Sequence, residues 1–158
     1  MEGKLSSYSL GDVPEGMEAE MAMLISYGLT GMADKRISVP LLGYTYLAPL
    51  REFLVQAGQS PSFAMMIKGG TSTHKSTLAA LYLSHFGVFT YDTLPASFHD
   101  TANAIRREAF TLKDTLLVVD DYHPTSSMQE RKKMQAIADR GAARGNAWIH
   151  RMAGTAGG

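Results

Sequence analysis

The run Gly69-Gly70-Thr71-Ser72-Thr73-His74-Lys75-Ser76-Thr77 places two glycines, several hydroxyls and a lysine directly before an apolar stretch with helical spacing. A loop of this kind, joined to a helix N-terminus, turns successive backbone N–H groups inward and makes a positively polarised cradle for phosphate. Against the pattern G-x-x-x-x-G-K-[ST] it matches at Gly69, Lys75 and Ser76 and departs at His74. On this reading residues 69–77 line the phosphates of ATP, Lys75 reaches the β/γ-phosphates and the Ser76 hydroxyl ligates Mg²⁺. The departure has a physical consequence: if the residue before the lysine needs φ > 0, glycine sits there without penalty and a histidine does not. The bland alternative is a Gly-Ser-Thr turn before a capped helix.

Asp120, 45 residues after Lys75, closes a second pattern, Thr115-Leu116-Leu117-Val118-Val119-Asp120-Asp121. A continuous apolar strand belongs in a parallel sheet buried on both faces, and carboxylates at its C-terminal end arrive at the edge where open α/β sheets bind ligands. That is the Walker B arrangement. Asp120 is expected to hold Mg²⁺ through water, and Asp121 to occupy the place of the acid that polarises the attacking water. The alternative is that both acids only end a strand and begin a turn toward Pro124.

The elements that would carry these residues follow from periodicity and breakers. Residues 1–16 mix Gly, Ser, Pro and acids and read as a mobile lead-in. A helical segment covers residues 17–60: one helix over 17–27 and another over about 40–56 with Pro40 in its first turn, where a missing N–H is harmless, and with Pro49 as a point of interruption. Alternating β and α elements follow over 61–140, with strands at 63–67, 88–91 and 115–119 and helices at 76–86, 101–109 and 127–140. This order predicts an α/β fold, a parallel sheet with flanking helices, of P-loop NTPase type. Residues 141–158 are rich in Gly and Ala and suggest no element.

The remaining polar residues are less specific. Asp100 or Thr101 is placed to cap the helix that follows. Arg106 and Arg107 are either phosphate contacts or exposed helix residues, and His99, His123 and His150 have no metal-site spacing. Met65 and Met66 suit core filling.

Composition narrows the possibilities further. At 158 residues and 45% hydrophobic content the chain is a globular domain that needs no disulfide or metal staple. With no cysteine, thiolate zinc sites, CxxC redox chemistry and cysteine nucleophiles are excluded. Fifteen basic and 15 acidic residues balance, yet residues 125–158 hold six Lys/Arg against two Asp/Glu, a basic segment of net +4 that suits either a solvated face or contact with phosphate. The longest apolar runs are far short of a membrane span of about 20 residues, and the acidic N-terminus is unlike a signal peptide. A cytoplasmic location without a membrane partner is expected.

Several blocks together, Ile37-Ser38-Val39-Pro40-Leu41-Leu42, the loop at 69–77, Leu78-Ala79-Ala80-Leu81 with His85-Phe86-Gly87, Leu94-Pro95-Ala96-Ser97-Phe98, Thr101-Ala102-Asn103-Ala104 and Leu117-Val118-Val119-Asp120-Asp121-Tyr122, resemble an uncharacterised P-loop ATPase family of predicted helicases. That family is found in phages, plasmids and integrative mobile elements, often beside primase domains. The likeness covers roughly residues 20–140, and in the family the second P-loop glycine is often replaced, as at His74. The paired Asp is similar to the Walker B of superfamily III replicative helicases, which are AAA+ hexameric motors. The resemblance implies a Mg²⁺-ATP-dependent ATPase of a mobile-element helicase or DNA replication protein, hydrolysing ATP in an assembled oligomer on DNA, with Lys75, Asp120 and Asp121 catalytic. Such motors place an arginine finger across a subunit interface, and Arg140, Arg144 and Arg151 are the candidates.

The sequence departs from that class in two respects. Additional-strand P-loop ATPases carry a fourth strand between the phosphate-loop strand and the Walker B strand, with a polar sensor residue, and no fourth or fifth strand is apparent here. The residues after Arg140 also drift from the family pattern, suggesting a truncated copy. Either strands one and three pair directly, as in the kinase-GTPase class, or uncovered strand edges invite association. Two rivals follow: a catalytically weak nucleotide-binding or interaction module that modulates a full-length homologue, and a small-molecule or nucleotide kinase.

Overall fold

The computed structural model describes residues 5–61, 63–70, 72–122, 128, 132 and 147–152, the last six and Tyr122 by backbone alone. Four strands, β1 (Met65–Lys68), β2 (Ala96–Ser97), β3 (Leu116–Tyr122) and β4 (Ala147–Met152), form one sheet in the order β1-β4-β3-β2. Every neighbouring pair is parallel. The α/β class is thus as expected, while the expected gap at its centre is not there. β4 lies between β1 and β3, pairing Met65–Lys68 with Ile149–Met152 on one side and Leu116 with Ala147 on the other. Direct pairing of the first and third strands is excluded by the same register.

The sequence of β3 explains its central position. Leu116, Leu117, Val118 and Val119 are all 0% exposed, and alternate residues serve opposite faces. Leu116 and Val118 join Leu41, Tyr44, Ala79 and Leu83 in one core, whereas Leu117 and Val119 join Phe98, Ile105 and Leu112 in another. The first core lies under α2 (Lys35–Gln56) and α3 (Lys75–Leu83), and the second under α4 (Ala102–Thr111). Helices therefore cover both faces of the sheet, as a continuous apolar strand requires.

The second strand is displaced from its expected place at 88–91. Val88 donates its N–H to the Ser7 carbonyl at 3.0 Å, and Ser9 donates to the Phe86 carbonyl at 3.0 Å, so this stretch is occupied by the N-terminal segment. Residues 5–9, expected to be loose, dock here: Tyr8 bridges to Gly87, its hydroxyl donates to the Leu116 carbonyl at 2.9 Å, and its ring meets Phe89 edge-on. Burial, reinforced by the charge of Glu108, pushes the Tyr8 phenol well above its ordinary value. A Cβ on Gly87 would overlap the Ser7 carbonyl, so glycine is what lets the segment approach.

α1 (Met17–Gly28) forms close to its expected span. α2 begins five residues before Pro40, because the Asp34 carboxylate accepts the Arg36 N–H at 2.8 Å and caps the helix there. Pro40 and Pro49 then sit inside it. Each removes one backbone hydrogen bond, a cost of about 3 kcal/mol or more in an ordinary helix. Burial of Leu41, Tyr44 and Ala48 in the first core is what offsets it. One polar cluster pins α1 to its neighbours. His85 Nδ1 donates to the Tyr82 carbonyl at 2.8 Å, and the Ser26 hydroxyl is hydrogen-bonded to His85 Nε2 at 2.7 Å and to the Tyr46 hydroxyl at 2.8 Å. α3 runs to Leu83 and tightens into a 3₁₀ turn at Ser84–Phe86, and α4 is capped by Thr101, whose hydroxyl accepts the Ala104 N–H at 3.2 Å. The helix expected at 127–140 lies outside the described residues, apart from Met128 and Lys132, which are helical. No helix among the described residues is long and apolar enough to cross a membrane.

Candidate functional site

The loop at 69–77 leaves the C-terminal end of β1 and enters α3 at Lys75. Ser72 (φ 60°) and His74 (φ 54°) both adopt left-handed backbone, with Thr73 between them at negative φ. Left-handed residues flanking one of negative φ occur in the concave nests of backbone N–H groups that bind anions. His74 thus occupies the strained conformation anticipated from its place before the lysine, and stands at the N-cap of α3 with no side-chain cap bond. Its carbonyl still accepts the Leu78 N–H at 2.9 Å, so the helix begins normally.

Inside the loop, the Thr73 hydroxyl donates to the Gly70 carbonyl at 2.8 Å and accepts from Lys75 Nζ at 3.0 Å. Lys75 Nζ also donates to the Gly70 carbonyl. The lysine is only 7% exposed, its ammonium folded over the loop it would share with a phosphate. A Cβ on Gly69 would come within 3.0 Å of the Thr73 hydroxyl, which is why the loop closes this tightly over glycine. Thr73 was expected only to line the loop; it also organises it. Thr71 lies outside the described residues, and Thr77 is exposed on the first turn of α3.

β3 brings the acids to this loop. Asp120 is buried at the strand's C-terminal end, and Ser76 Oγ donates to its Oδ2 at 3.4 Å across 44 residues of sequence. Its other oxygen, Oδ1, accepts the N–H of Asp121 at 2.8 Å, and its carbonyl accepts the Phe98 N–H at 2.9 Å. Asp121 has φ 59° and lies where the β3–β4 register slips between Val119 and Tyr122. A bulge at this point turns the strand just where the carboxylates are delivered. The tip of β2 reaches the same place: Ser97 pairs with Asp120, and Asp100 accepts the Ser97 N–H at 2.9 Å, so Asp100 holds this turn while Thr101 caps α4. A two-residue strand leaves almost no periodic signal, and for that reason the approach of Ser97 and Phe98 to Asp120 escaped the sequence.

Arg151 stands on the backbone of the central strand, in register with Ile67, and Arg140 and Arg144 lie outside the described residues. Arg106 donates to Asn103 at 3.3 Å on its own helix. No group of three or more His, Asp or Glu capable of holding a metal occurs among the described residues. A site built from one carboxylate, one hydroxyl, phosphate oxygens and water needs no such group. Comparison with known proteins adds nothing to this: no protein family, curated protein or solved structure matches the chain.

Proposed function

We propose that the chain is a Mg²⁺-ATP-binding P-loop ATPase domain of a mobile-element helicase or replication protein, hydrolysing ATP in an assembled oligomer on DNA. The observation that carries this reading is the meeting of Ser76 with Asp120, the two residues assigned to Mg²⁺ from spacing alone, at 3.4 Å. The strand order supports it, since β4 between β1 and β3 is the arrangement of the additional-strand class rather than of the kinase-GTPase class. The interaction-module rival drew on a missing fourth strand and on the neutral overall charge, and β4 removes the first of these arguments. Helicase activity, DNA and the oligomer rest on the family resemblance.

The donor set suits the metal: Ser76 and Asp120 offer hard oxygens beside a phosphate nest, and Mg²⁺ keeps waters in its remaining positions. When bound, Mg²⁺ neutralises charge on the phosphate oxygens. Lys75 exchanges its contacts with Gly70 and Thr73 for the β/γ-phosphates, and the nest N–H groups hold the phosphate chain. Asp121, carried by the bulge beside Asp120, is the residue to orient and polarise the attacking water. Titration calorimetry of Mg²⁺-ATP into the 158-residue chain tests the reading. Saturable heat that disappears in Lys75→Ala is expected, and no heat from folded wild-type protein would sink it.

A further inference from the structure

Thr73 stands at a place the pattern G-x-x-x-x-G-K-[ST] leaves open, so the motif itself assigns it no role. Its side chain nevertheless folds inward over both glycines of the loop. A Cβ on Gly69 would meet the Thr73 hydroxyl at 3.0 Å, and one on Gly70 would meet its methyl at 3.8 Å. The hydroxyl donates to the Gly70 carbonyl at 2.8 Å and accepts from Lys75 Nζ at 3.0 Å, and Lys75 Nζ donates to the same carbonyl. Carbonyl, hydroxyl and ammonium thus close a ring of hydrogen bonds. A hydroxyl that gives its proton to a carbonyl becomes a better acceptor for an ammonium, so the bonds reinforce one another. An ammonium on a flexible four-carbon stem otherwise samples many positions, and here the ring keeps the lysine 7% exposed.

We propose that Thr73 is a positioning residue that clasps Lys75 over the nucleotide-free loop, so that an incoming phosphate chain must open the clasp to recruit the ammonium. The inference rests on the phosphate-loop reading, in which Lys75 leaves Gly70 and Thr73 for the β/γ-phosphates. A contact made before binding and lost on binding opposes it, because apparent affinity falls with the fraction of molecules whose lysine is released. The clasp therefore predicts a sign opposite to that of a loop-building role. If the hydroxyl only shaped the cradle, removing it would loosen the loop and weaken ATP binding. Because it withholds the lysine, removing it strengthens binding. Thr73 is exposed, so valine keeps its shape without disturbing a core, and serine keeps its hydroxyl.

Two measurements on the 158-residue chain test the clasp, one with nucleotide and one without. In titration calorimetry, Thr73→Val should bind Mg²⁺-ATP about tenfold more tightly than wild type, the scale of one hydrogen bond to a charged group, while Thr73→Ser stays near wild type. Without nucleotide, Lys75 is acylated with an N-hydroxysuccinimide ester and read by peptide mass spectrometry against exposed Lys35. Its rate should rise about tenfold in Thr73→Val and stay unchanged in Thr73→Ser, with the circular dichroism spectra of all three proteins alike. Weaker ATP binding by Thr73→Val overturns the proposal. Lys75 acylation indifferent to the hydroxyl overturns it as well. No heat from folded wild type, together with faster acylation in Thr73→Val, overturns the nucleotide reading instead and leaves the clasp on Lys75 standing.

Discussion

The Ser76 hydroxyl donates to Asp120 Oδ2 at 3.4 Å, joining the first turn of α3 to the C-terminal end of β3. One residue comes from the phosphate-type loop and the other from the most deeply buried strand, and the sheet order brings both to the same edge. Everything proposed about nucleotide chemistry depends on that meeting.

His74 holds an exposed left-handed backbone at the N-cap of α3, a conformation that disfavours any side chain. His74→Gly should therefore stabilise the fold by about 1 kcal/mol, read as a higher urea midpoint with an unchanged slope. A lower midpoint would show that the imidazole contributes more than its backbone costs.

Asp34 caps α2 and is paired with Arg36, whose side-chain and backbone hydrogen bonds hold its carboxyl below the ordinary carboxylate range. Because the folded-state value is depressed, its contribution is present above the unfolded value and is lost as pH falls through the folded one. Asp34→Asn should keep the cap and flatten the acid limb of a stability-versus-pH curve, while Asp34→Ala should lower stability at neutral pH as well. Thermal melts across the acid range distinguish the two.

Tyr8 behaves in the opposite sense. Its phenol is raised in the folded state, so its contribution is complete below the unfolded value near 10 and declines as pH rises beyond it. Tyr8→Phe should cost about 1 kcal/mol at neutral pH, the worth of its bond to the Leu116 carbonyl, and should make the alkaline limb shallower.

Gly87→Ala should release the N-terminal segment, since the added methyl overlaps Ser7. Faster amide exchange at Ser9 and Val88, whose N–H groups are bonded across this contact, is the expected reading. Unchanged protection there would contradict the docking of Tyr8.

The strand carrying Asp120 was legible because four consecutive aliphatic residues ending in acids have few other uses in a fold of this size. The phosphate-type loop was legible for a similar reason, as glycine and lysine at that spacing precede a helix. β4 was not: Ala147-Trp148-Ile149-His150-Arg151-Met152 mixes apolar and basic residues without alternation, after a Gly/Ala-rich stretch. Its place is set by pairing with two other strands, a non-local cause that local pattern does not carry. Pro40 misled in another way, because it resembles a first-turn proline while the Asp34 cap starts the helix earlier. The segment at 88–91 has strand-like residues, but its first residue, Val88, bonds Ser7 of the N-terminal segment and Thr90 turns back on Thr93, so it joins no sheet neighbour.

The central claim is that Ser76 and Asp120 act on one Mg²⁺, and a double-mutant cycle measures this directly. ATP affinity would be determined with Mg²⁺ and with chelator for wild type, Ser76→Ala, Asp120→Asn and the double variant. The account predicts that Mg²⁺ tightens binding to wild type, that each single change removes most of this gain, and that the double change removes little more. Additive losses, or ATP affinity indifferent to Mg²⁺ in wild-type protein, would contradict it.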